Sequence, residues 1–343
     1  MTTNDQVVVG TKIVLRLALF VAGAYFLYLI RDVVLTVLFA VLAATALSPA
    51  IARLQSLRLS RTAAVIITYA IVFFGGTTIL SFFLPLFFSE VKAFLLHWPE
   101  YIKRLDVFLS GAEAYLSAIG IDFEREQFFQ NIEQGITDGL TNIFSTTVNL
   151  FQSFIHGIGF FFLALYLSLE EKGLEKFFLL LTPKEYHAQA LSIAARMQGK
   201  VSQWLFGQLL LMLIAFALYY LGLSFLGIPY ALAIAFFGGI MEIVPYIGPI
   251  LAAIPAVFVG LLLSPTLGLF VLVFYIIAHQ MEAHIIAPQV MKRSAGLNPV
   301  ALIIAILIGA ELAGPLGIIL SVPLTMMLSV FVEDILVKRK DIV

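Results

Sequence analysis

Glu242 opens the run Glu242-Ile-Val-Pro-Tyr-Ile-Gly248, and Glu311 opens Glu311-Leu-Ala-Gly-Pro-Leu-Gly317. Each run interrupts an apolar block, 228–263 or 299–332. A carboxyl group at hydrocarbon depth is rare and by default marks an ion or proton site. Near an interface the same acid would only cap a turn. Pro245 and Pro249 remove backbone donors around the first acid, and Gly248 admits unusual dihedrals. Tyr246, between the prolines, either contacts a solute or fills space. A second polar group, His279, Gln280, Glu282 and His284, ends a crossing, and Pro288 is expected to end or kink its helix. His279 and Glu282 are three apart and share a helical face. The cluster matches neither zinc-protease helix motif, and no cysteine is present to supply a thiolate. Gly222-Leu-Ser224 starts like a nucleophile turn but lacks the glycine two residues on. No phosphate loop or dinucleotide fingerprint occurs, so no enzyme, metal or cofactor is expected.

The elements that must position these groups follow from composition. Hydrophobic residues make up 61% of the 343 and charged residues 12%, with mean hydropathy +1.03. A soluble chain of this size carries roughly 45–50% and 25%. The chain therefore reads as a polytopic membrane protein, with the lipid bilayer its first partner. Net charge −1 leaves no basic face for nucleic acid. Crossings of about 20 apolar residues are expected at 13–30, 33–52, 63–88, 146–169, 204–226 and 266–281. The first reads as an uncleaved anchor rather than a signal peptide, since a second crossing follows almost at once.

Lys and Arg near span ends set orientation. Arg53, Arg58 and Arg61 place the loop 53–62 inside, and with it the N-terminus. Segment 89–145, with four basic and nine acidic residues, falls outside. Lys172, Lys176, Lys184, Arg196 and Lys200 return 170–203 to the inner side, as do Lys292, Arg293 and the tail Lys338-Arg339-Lys340. In the outer segment Val91, Phe94, Leu95, Trp98, Ile102, Leu105, Phe108 and Leu109 form an amphipathic stripe, expected to pack in a helical layer or lie on the bilayer. The Gly135–Gly139 pair sits in a polar context and argues only weakly for helix dimerisation. A helix from Tyr186 is expected to run into the fifth crossing.

The two broken blocks repeat one another. Proline to acid spans 13 residues in the first (Pro229 to Glu242) and 12 in the second (Pro299 to Glu311). Acid to glycine is six in both, and acid to the closing proline (Pro255, Pro323) is 13 and 12. Each block follows one crossing, and by charge those crossings run oppositely. Similar units of opposite topology are the mark of an inverted-repeat transporter, and paired Gly/Pro-interrupted segments point to its site. A half-helix of 12 or 13 residues spans about 18–20 Å and stops within the bilayer, where irregular backbone must be buried or line a cavity. Re-entrant hairpins are expected, the alternative being two short spans joined by a tight turn.

The runs Glu242 to Pro249, Glu282 to Met291 (with Ile286-Ala-Pro288), Gly296-Leu-Asn-Pro299 and Gly314-Pro-Leu-Gly317 through Pro323 closely resemble the autoinducer-2 exporter family, the PerM-like permeases, over nearly the whole chain. The resemblance implies secondary export of small polar solutes, autoinducer-2 being the namesake. It also implies Na⁺ or Li⁺ exchange for H⁺ in some members, and homo-oligomers.

The expected architecture is an all-α polytopic membrane protein with about six full crossings, two re-entrant hairpins and an extracytoplasmic helical segment. Its parts are a transmembrane scaffold (1–88), the outer segment (89–145), a crossing with an inner linker helix (146–203), the inverted-repeat transport region (204–332) and a basic tail (333–343). Candidate substrate- or ion-binding residues are Glu242, Pro245, Tyr246, Gly248, Pro249, Glu282, Glu311, Gly314 and Gly317. His279, Gln280, His284 and Pro288 form a candidate gate. The expected activity is export of an autoinducer-2-like solute across a bacterial inner membrane, or alternatively Na⁺(Li⁺)/H⁺ antiport. A non-transporting scaffold or regulatory protein ranks below both. Both termini are expected inside.

Overall fold

A computed structural model of the chain describes residues 29–118, 159–170, 182–291 and 298–340, with scattered positions within 16–26, 127–134 and 179. Positions 13–15, 17, 19, 24, 27 and 28 of the first expected crossing, Gly135 and Gly139, Lys172, Lys176, Lys292, Arg293 and Gly296 lie outside the described residues. Among the described residues every regular element is a helix. In order these are α1 (Arg31–Ser56), α2 (Arg61–Ala118), α3 (Gly159–Leu169), α4 (His187–Phe225), α5 (Ala231–Met241), α6 (Ile247–Leu263), α7 (Pro265–Met281) and α8 (Pro299–Lys340). Among the described residues five stretches are long and apolar enough to cross a bilayer, with α3, α5 and α6 as shorter apolar helices. With exposed Leu, Ile and Phe along them, they define an all-α polytopic membrane protein.

The boundary drawn at 88/89 falls inside α2, which runs unbroken for 58 residues past Pro85 and Pro99, a rod of about 87 Å. At Phe94 and Trp98 its stripe packs on protein rather than lying free. Phe94 meets Tyr230 edge-on, with centroids 5.6 Å apart, and Trp98 lies 6.2 Å from Phe258 of α6. Glu90 accepts the Ala233 N–H at 2.7 Å, placing a carboxyl group at the N-terminus of α5, where helix donors lack partners.

The other end of α2 is fixed by Arg61. Its guanidinium donates to the carbonyls of Ser168, Leu169 and Glu170 at 2.7–3.3 Å. A cation thus caps the C-terminus of α3, opposite the helix dipole's negative end. On the same side, the final arm of α8 is tied to the start of α4. Arg196 and Gln189 donate to Asp334, and Lys200 pairs with Glu333 at 3.2 Å.

Three apolar clusters hold the elements. Ile51, Val65, Tyr69 and Ala164 join α1, α2 and α3. Leu42, Trp204, Leu302, Leu320 and Met326 join α1, α4 and α8, with Val244 packed against them. Tyr219, Leu223, Ala235, Ala252, Val271 and Tyr275 join α4 to α5, α6 and α7.

Both broken blocks are helical hairpins. In the first, α5 and α6 flank the turn 242–246, with Tyr246 at φ 67°. In the second, α8 breaks at Ala313 and at Gly314, whose φ is 58°. Its two arms fold back on each other, since Ser321 Oγ donates to Ala305 O at 2.8 Å. The glycine six residues after each acid is a point of close backbone approach. A Cβ on Gly248 would strike the Met241 carbonyl, and one on Gly317 would strike that of Gly309. Gly248 and Gly317 are therefore closed packing contacts rather than open positions at the turns.

Beyond Met281 the helix of α7 continues through a π-turn, Glu282–Ile286, to Val290. Pro288 thus does not end it. The widened turn takes up the proline's missing donor and ring.

Candidate functional site

α5 has only 11 residues, so its C-terminal carbonyls, which have no partners within a helix, arrive in the interior. Local turns answer some of them: Ile243 N–H donates to Ile240 O, and Val244 N–H to Met241 O, at 3.1 and 3.0 Å. The carbonyl of Glu242 is answered from another element, by the side-chain amide of Gln208 on α4. Gln208 and Glu242 are each about 4% exposed or less. The Glu242 side chain lies near the Glu282 carboxyl group and the hydroxyl of Tyr219. Tyr219 in turn stacks on Tyr275, with ring centroids 4.9 Å apart. Glu242 Oε2, Tyr219 Oη, Tyr275 Oη and His279 Nδ1 are all buried without a hydrogen-bond partner. Orphaned buried polar atoms are rare, and each calls for an explanation in strain, ligand or mechanism.

The expected site residues do not assemble as one set. Glu282 joins Glu242, but the rest of its cluster does not. Gln280 and His284 are exposed, and His284 Nδ1 bonds only its own helix, at Gln280 O, 3.1 Å away. His279 lines a groove of about 520 Å³ with Pro249, Tyr275 and apolar residues of α6 and α7. Tyr246 is 51% exposed. Pro245 is half-buried, and Pro249 is buried. Glu311 departs most from its repeat mate: it is exposed and is not among the groups acting on Glu242. Gly314 makes the second turn and Gly317 seals it. A further cavity, of about 470 Å³, lies between α2 and the first hairpin with an almost wholly apolar lining.

Sequence reasoning assigned no role to Gln208, Tyr219 or Tyr275. A signal for them existed. Gln208 and Tyr219 are 11 residues apart, three helical turns, and Tyr275, His279 and Glu282 recur at four and three. Each set shares one face of an otherwise apolar helix.

A buried acid at a broken helix, inside a bundle that repeats a long helix followed by a hairpin, is the build of a membrane transporter. Residues 15–337 match the sequence profile of the AI-2E family transporter, and the chain belongs to that family. It is 27% identical over 341 residues to YrrI of Bacillus subtilis (strain 168), covering 92% of this chain and 90% of that protein. YueF of the same organism is 26% identical over 297 residues, 83% and 79% of the two chains. The AI-2 transport protein TqsA of Escherichia coli (strain K12) is 24% identical over 327 residues, 95% and 92%.

Proposed function

We propose that this chain is a secondary transporter of the bacterial inner membrane that exports a small polar solute, with the turn 242–249 as its working site. The observation that carries the reading is Glu242, 3% exposed, at a helix break held from α4 by Gln208 and faced by a second acid. Irregular backbone and a carboxyl group in such a bundle recur where transporters bind solute or coupling ion. The name of the relative TqsA supports an autoinducer-2-like signalling molecule as the solute class. The Glu242–Glu282 pair supports a second reading, exchange of Na⁺ or Li⁺ for H⁺, because two carboxyl groups together can hold either one proton or one small cation. Both termini face the cytoplasm in this reading, and the protein works as a homo-oligomer.

The test is purified protein in liposomes with imposed H⁺ and Na⁺ gradients, assayed for autoinducer-2 flux and for cation flux. Solute flux that depends on the protein, and falls in Glu242→Gln, supports the exporter. Cation flux lost in the same variant supports the antiporter. No flux of either kind returns the chain to a scaffold role.

A further inference from the structure

The segment 53–62 joining α1 to α2 carries Arg53, Arg58 and Arg61 and no acid. Arg61 is committed to the carbonyls at the end of α3. On the same side Arg196 and Lys200 are matched by Asp334 and Glu333. Among the described residues Arg53 and Arg58 take part in no ion pair. Their level in the bilayer follows from α1. The 20 residues between Asp32 and Arg53 carry no charge. As a helix they span about 30 Å, the thickness of a hydrocarbon core. Arg53 therefore stands at the headgroup boundary.

Arg53 also lines a groove of about 490 Å³ between α1, α2 and α4. The other walls are almost wholly apolar: Leu47 and Leu54 of α1, Ile71 and Val72 of α2, and Phe206 of α4. Leu47 and Leu54 also pack against the cluster around Ile51, Val65 and Tyr69, so the back of the groove is firm. Gln198 Nε2 donates to Ser48 Oγ at 3.2 Å. That bond ties α4 to α1 and sets Phe206, about two turns further on, as the far wall. Ile71, Val72 and Phe206 are 64%, 49% and 47% exposed, so the groove opens toward the acyl layer. Along α1 it runs from Leu47 to Leu54, about 10 Å, with Arg53 at the headgroup end.

We propose that this groove is a lipid site: it holds one chain of an anionic phospholipid, whose phosphate is drawn to Arg53 and Arg58. The leaflet is the one beside the α1–α2 turn, the inner one on the orientation expected from charge. Guanidinium groups bind phosphate through paired, charge-assisted hydrogen bonds, and basic pockets between membrane helices suit anionic headgroups. The apolar walls select a chain, and the arginines select the charge. A zwitterionic lipid fills the same walls but brings its own ammonium toward two cations. A free phosphate leaves the walls unused.

The experiment is native mass spectrometry of the full-length protein in a neutral detergent. Dioleoyl phosphatidylglycerol or dioleoyl phosphatidylcholine is titrated in, and the dissociation constant of the first lipid bound per chain is read. A basic residue near anionic lipid is worth about fivefold in affinity. The wild type is expected to prefer phosphatidylglycerol by at least about that factor. Arg53→Gln is expected to weaken phosphatidylglycerol by about fivefold and leave phosphatidylcholine unchanged. Lys184→Gln removes an exposed cation outside the groove and is expected to change neither. Val72→Trp fills the groove from an exposed position and is expected to weaken both lipids. Ile79→Trp, at 58% exposure further along α2 and outside the groove, is expected to weaken neither.

Equal affinity of the wild type for the two lipids overturns the proposal. A loss in Lys184→Gln as large as that in Arg53→Gln replaces the site with a general attraction of anionic lipid to a basic surface. Displacement of phosphatidylglycerol by an equal concentration of glycerol phosphate removes the groove from the site. Undiminished lipid binding in Val72→Trp does the same, and a changed oligomer size in that variant assigns the groove to a contact between copies of the chain.

Discussion

Gly317→Ala tests the closed second hairpin. The added Cβ would fall against the Gly309 carbonyl, with the carbonyl carbon 2.6 Å and the Ala313 Cβ 3.0 Å away. The nearest obstacle is backbone, so the arms must part rather than a side chain turn aside. Parting them also strains the Ser321–Ala305 bond of 2.8 Å. Overpacking of this kind costs about 1–3 kcal/mol, and a lost hydrogen bond adds about 0.5–1.5. Together that is roughly 2–4 kcal/mol, against a gain of up to about 1 from replacing helical glycine by alanine. The packing term wins. Gly76→Ala is the control, since nothing lies within 4 Å of its Cβ position and only the propensity gain applies there. Thermal unfolding in detergent, followed by circular dichroism, is expected to put the Gly317→Ala midpoint clearly below wild type and that of Gly76→Ala at or above it. At about 2 °C per kcal/mol for a chain of this size, the gap between the two variants is several degrees. If Gly317→Ala unfolds with or above Gly76→Ala, the arms are not in contact and the second block is not the closed hairpin described.

Orientation is tested by single cysteines in a chain that has none: a cysteine at Ser117 is expected to label from outside and one at Ser56 only from inside, and reversed labelling would sink the charge argument. Because Gly248 and Gly317 are closed to any side chain, probes of the turns belong at Ile247 and Leu312, 36% and 67% exposed. Added solute is expected to change the labelling rate at Ile247 and leave Leu312 unaffected. Arg61→Met removes the cap on α3 and leaves three carbonyls short of a donor. A loss of about 1–3 kcal/mol is expected in the same unfolding assay, and no change would show that water serves as well. Glu311→Gln is expected to keep flux within about twofold of wild type while Glu242→Gln abolishes it; equal losses would restore the symmetric site.

The hairpins were legible because proline and glycine are punctuation, and their matched spacing marks two turns whatever surrounds them. The family could be read from the same runs. What spacing could not show is that Glu242 and Glu311, equivalent in the repeat, have different surroundings. Glu242 is buried because α4 and α7 supply Gln208, Tyr219 and Glu282 around it, and those partners come from other elements. The length of α2 was hidden for a local reason. The fall in hydropathy after residue 88 looks like an end, yet a helix that leaves the apolar layer can continue wherever its apolar stripe finds a partner. Phe94 and Trp98 find theirs on the first hairpin and the residue before it. Pro85 and Pro99 look like stops, and both sit inside the helix.

The ties between α4 and the end of α8 set an index between two helices that otherwise meet through smooth apolar surface. Arg196 and Lys200 lie one turn apart, and Asp334 and Glu333 meet them as a matched pair of teeth. Each tie is worth little as stability, about 0–1 kcal/mol for exposed ions, and salt weakens both. Their effect is on registry. A slip of one helical turn, about 5.4 Å, unmeshes both pairs at once and sets the acids against apolar neighbours or one another. Sliding of α8 along α4 is thereby resisted in steps of a turn, while tilting about the meshed end is not. Any movement of α8 against α4 is expected to rock about that end.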